Sequence, residues 1–412
     1  MVMAKKLTKI FQILFMSCIF IHSGIINAHG QSEKKYLGEQ TTLKSSLLGE
    51  NIKLIIYVPE NYHSSKKEYP VLYLLDGDFF INQAAAAVQF LSSCPYIRQN
   101  LIPEFIVIGI VSNDRNRDFT PTHMPVYEDF KFPTSGGGKI FHNFLKKELM
   151  PFIEKEYRTK PHRVLAGWSL GGLFTIHTYL NHPDDFSAYL AISPSLWWDN
   201  QIAVKQTESL IASHKLPDKK LTVTLGSLER GDMQNSVEYS FLPLMTNASR
   251  KNIQFRYVEI QNEGHNTSPF LGLYEGLKSL YYNWTFTQDI LNDSSDKADT
   301  YSLNLAKEYG YAGNDAAESY NFLMNLAVLQ GKYDESLKIA EYLTKKNPKS
   351  SYALFNLGIM YYRIKDLESA ITCFKKAIQT EEVNSNPKQN RMEMYKQVLH
   401  DVEEEAKKRG KK

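Results

Sequence analysis

Cysteine is nearly missing from this chain, with three residues in 412: Cys18, Cys94 and Cys373. No C-x-x-C pair occurs and no disulfide framework can be laid out, so a packed apolar core has to carry the stability. Cys373 sits within an amphipathic helical pattern, which suits core packing. Net charge is also small, +3 from 48 basic and 45 acidic residues. Lys5, Lys6 and Lys9 supply that excess in an N-terminal segment that holds no acid. Without it the balance is nil, which argues against nucleic acid or an anionic surface as partner. Long apolar runs are missing too, apart from Ile10 to Ile26, and Gln12, His22 and Ser23 make that a poor permanent span. The lysines, the apolar stretch and Ala28 together form a secretory signal pattern. Residues 1–28 are therefore expected to be removed on export to the periplasm or beyond, leaving no stable membrane span. Ile26 stands where a small residue is commoner before such a cut, and Cys18 is a weak lipid-attachment signal.

What remains is ordinary for a globular protein, 43% hydrophobic and 23% charged. Strand-like runs at Ile52–Val58, Val71–Leu75, Phe105–Val111, Arg163–Ala166, Ala188–Ile192, Leu221–Leu225 and Phe255–Ile260 alternate with helical patterns, among them Lys139–Tyr157 and Leu173–Leu180. This alternation predicts an α/β domain over residues 35–285, with a mostly parallel sheet covered on both faces. Residues 286–315, rich in Asp, Asn and Ser, are expected to form a linker and a first helix. A 34-residue repeat follows, in which Tyr320, Leu323, Ala327, Tyr333, Ser336 and Ala340 recur as Leu354, Leu357, Tyr361, Leu367, Ala370 and Phe374. It is close to the tetratricopeptide pattern, so residues 316–412 are expected to be a small helical repeat region. Two units bury little core alone and should pack on the larger domain.

The chemistry concentrates in Gly167-Trp168-Ser169-Leu170-Gly171, a G-x-S-x-G pentapeptide between an apolar strand and an apolar helix. That context makes Ser169 a candidate nucleophile on a sharp turn at the sheet's carboxyl edge. A serine hydroxyl needs a base, and histidine titrates in the right range. His177 is two helical turns below the elbow, His182 lies near that helix's end, and His214 precedes a strand. His265 follows the strand ending at Ile260 and stands at the correct edge, so it is the candidate base. The acid should come from the loop after Leu221–Leu225, where Glu229 is nearer the strand and Asp232 is the reserve. One oxyanion donor is the amide of Leu170. The other is expected from the loop Leu74-Leu75-Asp76-Gly77-Asp78, where Gly77 would let the backbone turn.

Tyr73-Leu74-Leu75-Asp76-Gly77-Asp78, Gly167 to Gly172, and Ser193-Pro194-Ser195-Leu196-Trp197-Trp198 together resemble the "Putative esterase" family of α/β-hydrolases. Asn113 to Pro121 and Ser135-Gly136-Gly137-Gly138 are most similar to its siderophore-esterase-like branch. The resemblance implies the α/β-hydrolase fold, a second oxyanion amide on Asp78, and the acid and base on Glu229 and His265. Trp168 stands where the family more often has histidine. Trp197 and Trp198 either wall an acyl group or belong to the core, and Trp168 is a further candidate substrate contact. Arg115 and Arg117, with Asp114, Asp118 and Glu128 nearby, suit a salt-bridge knot better than an anion clamp.

The expected activity is hydrolysis of a small-molecule carboxylic ester through an acyl-enzyme, with no metal and no organic cofactor. Acyl transfer to an alcohol other than water uses the same parts. A scaffold that binds a protein partner through the C-terminal repeats is the reading from another class, and the Ser, His and Glu set argues against that as the sole role.

Overall fold

The computed structural model describes residues 35–93, 101–249, 253–282, 330–384 and 389–409, with the single positions 284, 309, 324, 325, 327 and 328. The expected leader at 1–28, most of the linker at 286–315, the early part of the first repeat, Cys18 and Cys94 lie outside the described residues.

The sheet has eight strands. β1 (Glu39–Ser45), β2 (Glu50–Tyr57), β3 (Tyr69–Leu75) and β4 (Ile106–Val111) are followed by a two-stranded ribbon, β5 (Val126–Tyr127) with β6 (Phe130–Lys131). β7 (Thr159–Trp168), β8 (Ala188–Ile192), β9 (Lys220–Gly226) and β10 (Phe255–Ile260) complete it. Their spatial order is β1-β2-β4-β3-β7-β8-β9-β10. From β4 to β10 every pairing is parallel, whereas β1 and β2 pair antiparallel at one edge. Every residue of β3, β8 and β9 is buried, as in interior strands covered on both faces, although β9 includes Lys220, Thr222 and Thr224 among its apolar residues. β1 differs from expectation in existing at all. Its polar sequence Glu-Gln-Thr-Thr-Leu-Lys-Ser pairs along one side only, so no apolar run announces it.

α1 (Gly77–Ser93) and α6 (Ser268–Leu280) pack together on one face of the sheet. The other face carries α2 (Gly138–Phe144), α3 (Met150–Glu156), α4 (Leu170–Asn181) and α5 (Trp198–Ala212). The helix expected over Lys139–Tyr157 contains a π turn at Leu145–Leu149, joining α2 to α3. Pro151, just beyond it, lacks the N–H that would bond to Lys147 and crowds that carbonyl, so the wider turn relieves a clash. A ring cluster of Phe119, Phe141 and Phe174, with centroids 5.3–6.2 Å apart, ties α2 to α4.

At the opposite edge from Ser169, Tyr309 stacks on Tyr281 at 5.2 Å and meets Trp284 edge-on at 5.5 Å, while Lys220 at the start of β9 holds its ammonium 3.7 Å from the Tyr309 ring. The C-terminal helices are α7 (Tyr333–Lys346), α8 (Ser351–Arg363), α9 (Leu367–Glu382) and α10 (Gln389–Arg409). Side-chain caps start two of them: Ser350 accepts from the Ala353 amide at 3.2 Å, and Asp366 from the Ser369 amide at 3.0 Å. Phe355, Phe374, Ala370 and Tyr395 form their core, and Cys373 is buried against Met324, Ala340, Leu357 and Met360.

Space requires glycine at the start of α1. A Cβ on Gly77 would fall 2.3 Å from the Gly109 carbonyl carbon of β4. Gly77→Ala is expected to cost about 1–3 kcal/mol, read as a lower urea midpoint. An unchanged midpoint would show that α1 can back away from β4.

Candidate active site

Ser169 has φ 58° and ψ −116°, a conformation that residues with a side chain rarely adopt. Neighbouring backbone imposes it. The Ser169 amide donates to the Ile192 carbonyl at 3.0 Å, and the Ser169 carbonyl accepts from Leu173 at 2.9 Å and Ser195 at 3.1 Å. The flanking glycines contribute unequally. A Cβ on Gly167 would lie 2.3 Å from the Gly171 carbonyl oxygen, and one on Gly172 2.9 Å from the Pro194 Cα. At Gly171 it would meet only ordinary contacts, 3.4 Å or more.

The loops after β3, β7, β8, β9 and β10 leave one edge of five adjacent strands, and the candidate residues meet there. His265 Nε2 lies 3.0 Å from Ser169 Oγ, and His265 Nδ1 lies 2.8 Å from Glu229 Oε2. Glu229 is buried, and Oε1 accepts from Ser193 Oγ at 2.6 Å and the Gly226 amide at 3.0 Å. Burial pushes its carboxyl up, but the bonds from His265, Ser193 and Gly226 outweigh that and hold it below its ordinary range. Asp232 is elsewhere: its carboxylate accepts the Tyr127 hydroxyl at 2.7 Å, which pushes that phenol up to about 12. The reserve acid is thereby set aside.

Three further hydroxyls surround this line. Ser195 Oγ is 3.2 Å from Ser169 Oγ, and Ser193 Oγ is 2.9 Å from Ser268 Oγ. Ser193 and Ser195 lay in a motif noted only for resemblance, and Ser268 opens α6 with no local signal. Trp168 acts on the histidine loop, since its indole N–H donates to the His265 carbonyl at 3.1 Å and its ring lies 4.9 Å from the imidazole.

Leu170 is the first residue of α4 and Asp78 the second of α1, so both amides belong to first-turn donors with no intrahelical acceptor. Gly77 has a different role from the one expected. The left-handed residue of that turn is Asp76, at φ 53°, and glycine at 77 serves the close approach to β4. Arg115 grips the buried Asp76 with two bonds of 3.0 Å. Burial pushes the Asp76 carboxyl up, and Arg115 opposes it. Arg117 pairs with Asp118 at 2.7 Å and with Glu50. The arginines thus form salt bridges, with distant Asp76 and Glu50 replacing Asp114 and Glu128 as partners; Asp114 instead caps the turn at the Arg117 amide.

Trp198 is wholly buried, edge-on to Phe132 at 5.1 Å, with its N–H 3.2 Å from Thr122 Oγ1. Its ring belongs to the core, which corrects the reading of it as a substrate wall. Trp197 is half-buried and stacks on Tyr127 at 4.5 Å.

A strained serine between strand and helix, backed by histidine and carboxylate on later loops of a parallel sheet, defines the α/β-hydrolase class. The chain belongs to the esterase family described as "Putative esterase", whose profile matches residues 45–286, and is an esterase. A tetratricopeptide profile matches residues 351–382. The chain is 31% identical over 214 residues to ferri-bacillibactin esterase BesA of Bacillus subtilis, covering 48% of this chain and 73% of that protein. It is 23% identical over 179 residues to the siderophore triacetylfusarinine C esterase of Aspergillus fumigatus, covering 42% of this chain and 60% of that one. A crystal structure of an IroE-like serine hydrolase from Shewanella oneidensis superposes with a TM-score of 0.64 at 28% identity, covering 75% of this chain and 99% of that one.

A carboxyl held below its ordinary value of 4.5 adds stability above that pH and loses it as pH falls through the folded value. Glu229→Gln is therefore expected to be less stable than the parent at neutral pH, with the gap closing on acidification below about 4.5. Urea midpoints across that range check this, and a gap independent of pH would contradict it.

Proposed function

We propose that this chain is an exported serine esterase that works through an acyl-enzyme on Ser169. The observation that carries the reading is the continuous line from Ser169 Oγ through His265 to Glu229, at 3.0 and 2.8 Å. Ser169 Oγ adds to the ester carbonyl carbon while its proton passes to His265 Nε2. The carbonyl oxygen becomes an oxyanion held by the amides of Leu170 and Asp78, at the positive ends of two helices. The intermediate collapses, the C–O bond to the alcohol breaks, and His265 returns the proton to the leaving oxygen. Water then repeats the sequence on the acyl-enzyme and frees Ser169. Glu229 stays ionised throughout, fixing the imidazole tautomer and stabilising its charged form.

Siderophore esters are the substrate class we assign, on the strength of the named esterase relatives. The Tyr127–Trp197 stack, two residues from Ser195, would supply an aromatic wall for the acyl group. Export rests on the signal pattern at residues 1–28, and the tetratricopeptide helices are assigned to a protein partner on the strength of their family match.

With p-nitrophenyl acetate, Ser169→Ala is expected to lower kcat by at least about 10⁴-fold and Glu229→Gln by about 10³–10⁴-fold. Asp232→Asn should stay near the parent. Parent-level turnover by Ser169→Ala, or equal losses in the two acid variants, would overturn the assignment. In cell fractions, the exported form should begin after Ala28; full-length protein confined to the cytosol would remove the export claim.

A further inference from the structure

A second group of ligating side chains stands at the far end of α4 from Ser169. His182 caps that helix, Asp185 ends the 3-10 turn Pro183–Asp185, and His142 reaches across from α2. One ligand atom from each lies within 4.8 Å of the other two. The two imidazoles stack with centroids 3.7 Å apart and planes at 11°. His142 Nε2 is 2.9 Å from Asp185 Oδ2, and Lys146 Nζ is 2.7 Å from the other oxygen, Oδ1. Among the described residues, neither ring nitrogen of His182 has a hydrogen-bond partner.

We propose that His142, His182 and Asp185 form a site for one divalent transition-metal ion of the zinc type. Two imidazoles and one carboxylate are a donor set that zinc accepts, leaving a fourth position for water. Tetrahedral zinc with bonds near 2.0–2.1 Å places its donor atoms about 3.3 Å apart. One donor separation, His142 Nε2 to Asp185 Oδ2, is 2.9 Å, and the ligand atoms of all three residues lie within 4.8 Å of one another. Lone pairs of stacked rings point along parallel planes, so binding requires the partly exposed His182 ring to turn out of the stack. Binding would replace the proton that His142 Nε2 donates to Asp185 Oδ2 with the ion, so it releases a proton.

The surroundings also favour a cation. His182 sits at the negative end of the α4 dipole, and Asp185 brings a full charge. Lys146 orients the carboxylate through Oδ1 and leaves Oδ2 to the ion, yet its exposed ammonium also competes for the same charge. A bound ion would staple α2 to the end of the helix whose other end presents the Leu170 amide. The sites are chemically separate, so this inference stands whether or not Ser169 is the nucleophile.

The test is calorimetric titration of zinc chloride into chelator-stripped, tag-free protein, with the unfolding temperature followed in parallel. One zinc per chain and a raised unfolding temperature are expected. His182→Ala and Asp185→Asn, each checked for folding by circular dichroism, should weaken binding by at least about tenfold and remove the thermal shift. Lys146→Gln should tighten it. No stoichiometric binding by the parent, or binding unchanged in both ligand variants, would show a salt-bridged histidine stack and overturn the proposal.

Discussion

The left-handed backbone of Ser169 is the constraint on which the rest of the site depends. A side chain at φ 58° is unfavourable by itself, so neighbouring groups must hold it there. Ile192 of β8 receives its amide, Leu173 of α4 and Ser195 after β8 donate to its carbonyl, and Gly167 and Gly172 leave room for the backbone to cross. The turn therefore exists only while β7, β8 and α4 are packed together. Its result is a hydroxyl held where His265 reaches it.

Sheet order does the remaining positioning. Asp76, Ser169, Ser193, Glu229 and His265 follow β3, β7, β8, β9 and β10, which are five neighbours in one parallel array. Parallel strands end at one edge, so residues far apart along the chain become adjacent without any special folding of their loops. The buried Glu229 adds a second requirement. An ionised carboxylate away from water has to be surrounded by donors, and Ser193, the Gly226 amide and His265 supply them. The Arg115–Asp76 pair does the same for the turn into α1, where left-handed backbone and a buried charge coincide.

The legible and illegible parts of the sequence divide along this line. Apolar runs located seven of the sheet's strands: six are interior strands covered on both faces, and the edge strand β10 shows through Phe255, Tyr257, Val258 and Ile260. β1 escaped because an edge strand paired on one side tolerates a polar sequence. The elbow, Glu229 and His265 were readable because strand ends and chain order constrain them. Pairings across many residues were not: nothing local in Arg115 points to Asp76, and nothing in Ser193 or Ser268 points to Glu229. Trp197 and Trp198 are adjacent in sequence, yet one stacks on Tyr127 and the other is enclosed by core residues, a division that only packing decides. The His142, His182 and Asp185 group is likewise visible only once α2 lies beside α4.

The central claim is that one hydroxyl, Ser169, is activated and its close neighbour Ser195 is not. Labelling with a fluorophosphonate, followed by peptide mass spectrometry, separates the two most directly. The account predicts one label per chain, carried by the peptide that bears Ser169 and lost in Ser169→Ala. A label on Ser195, or none on either serine, would contradict it.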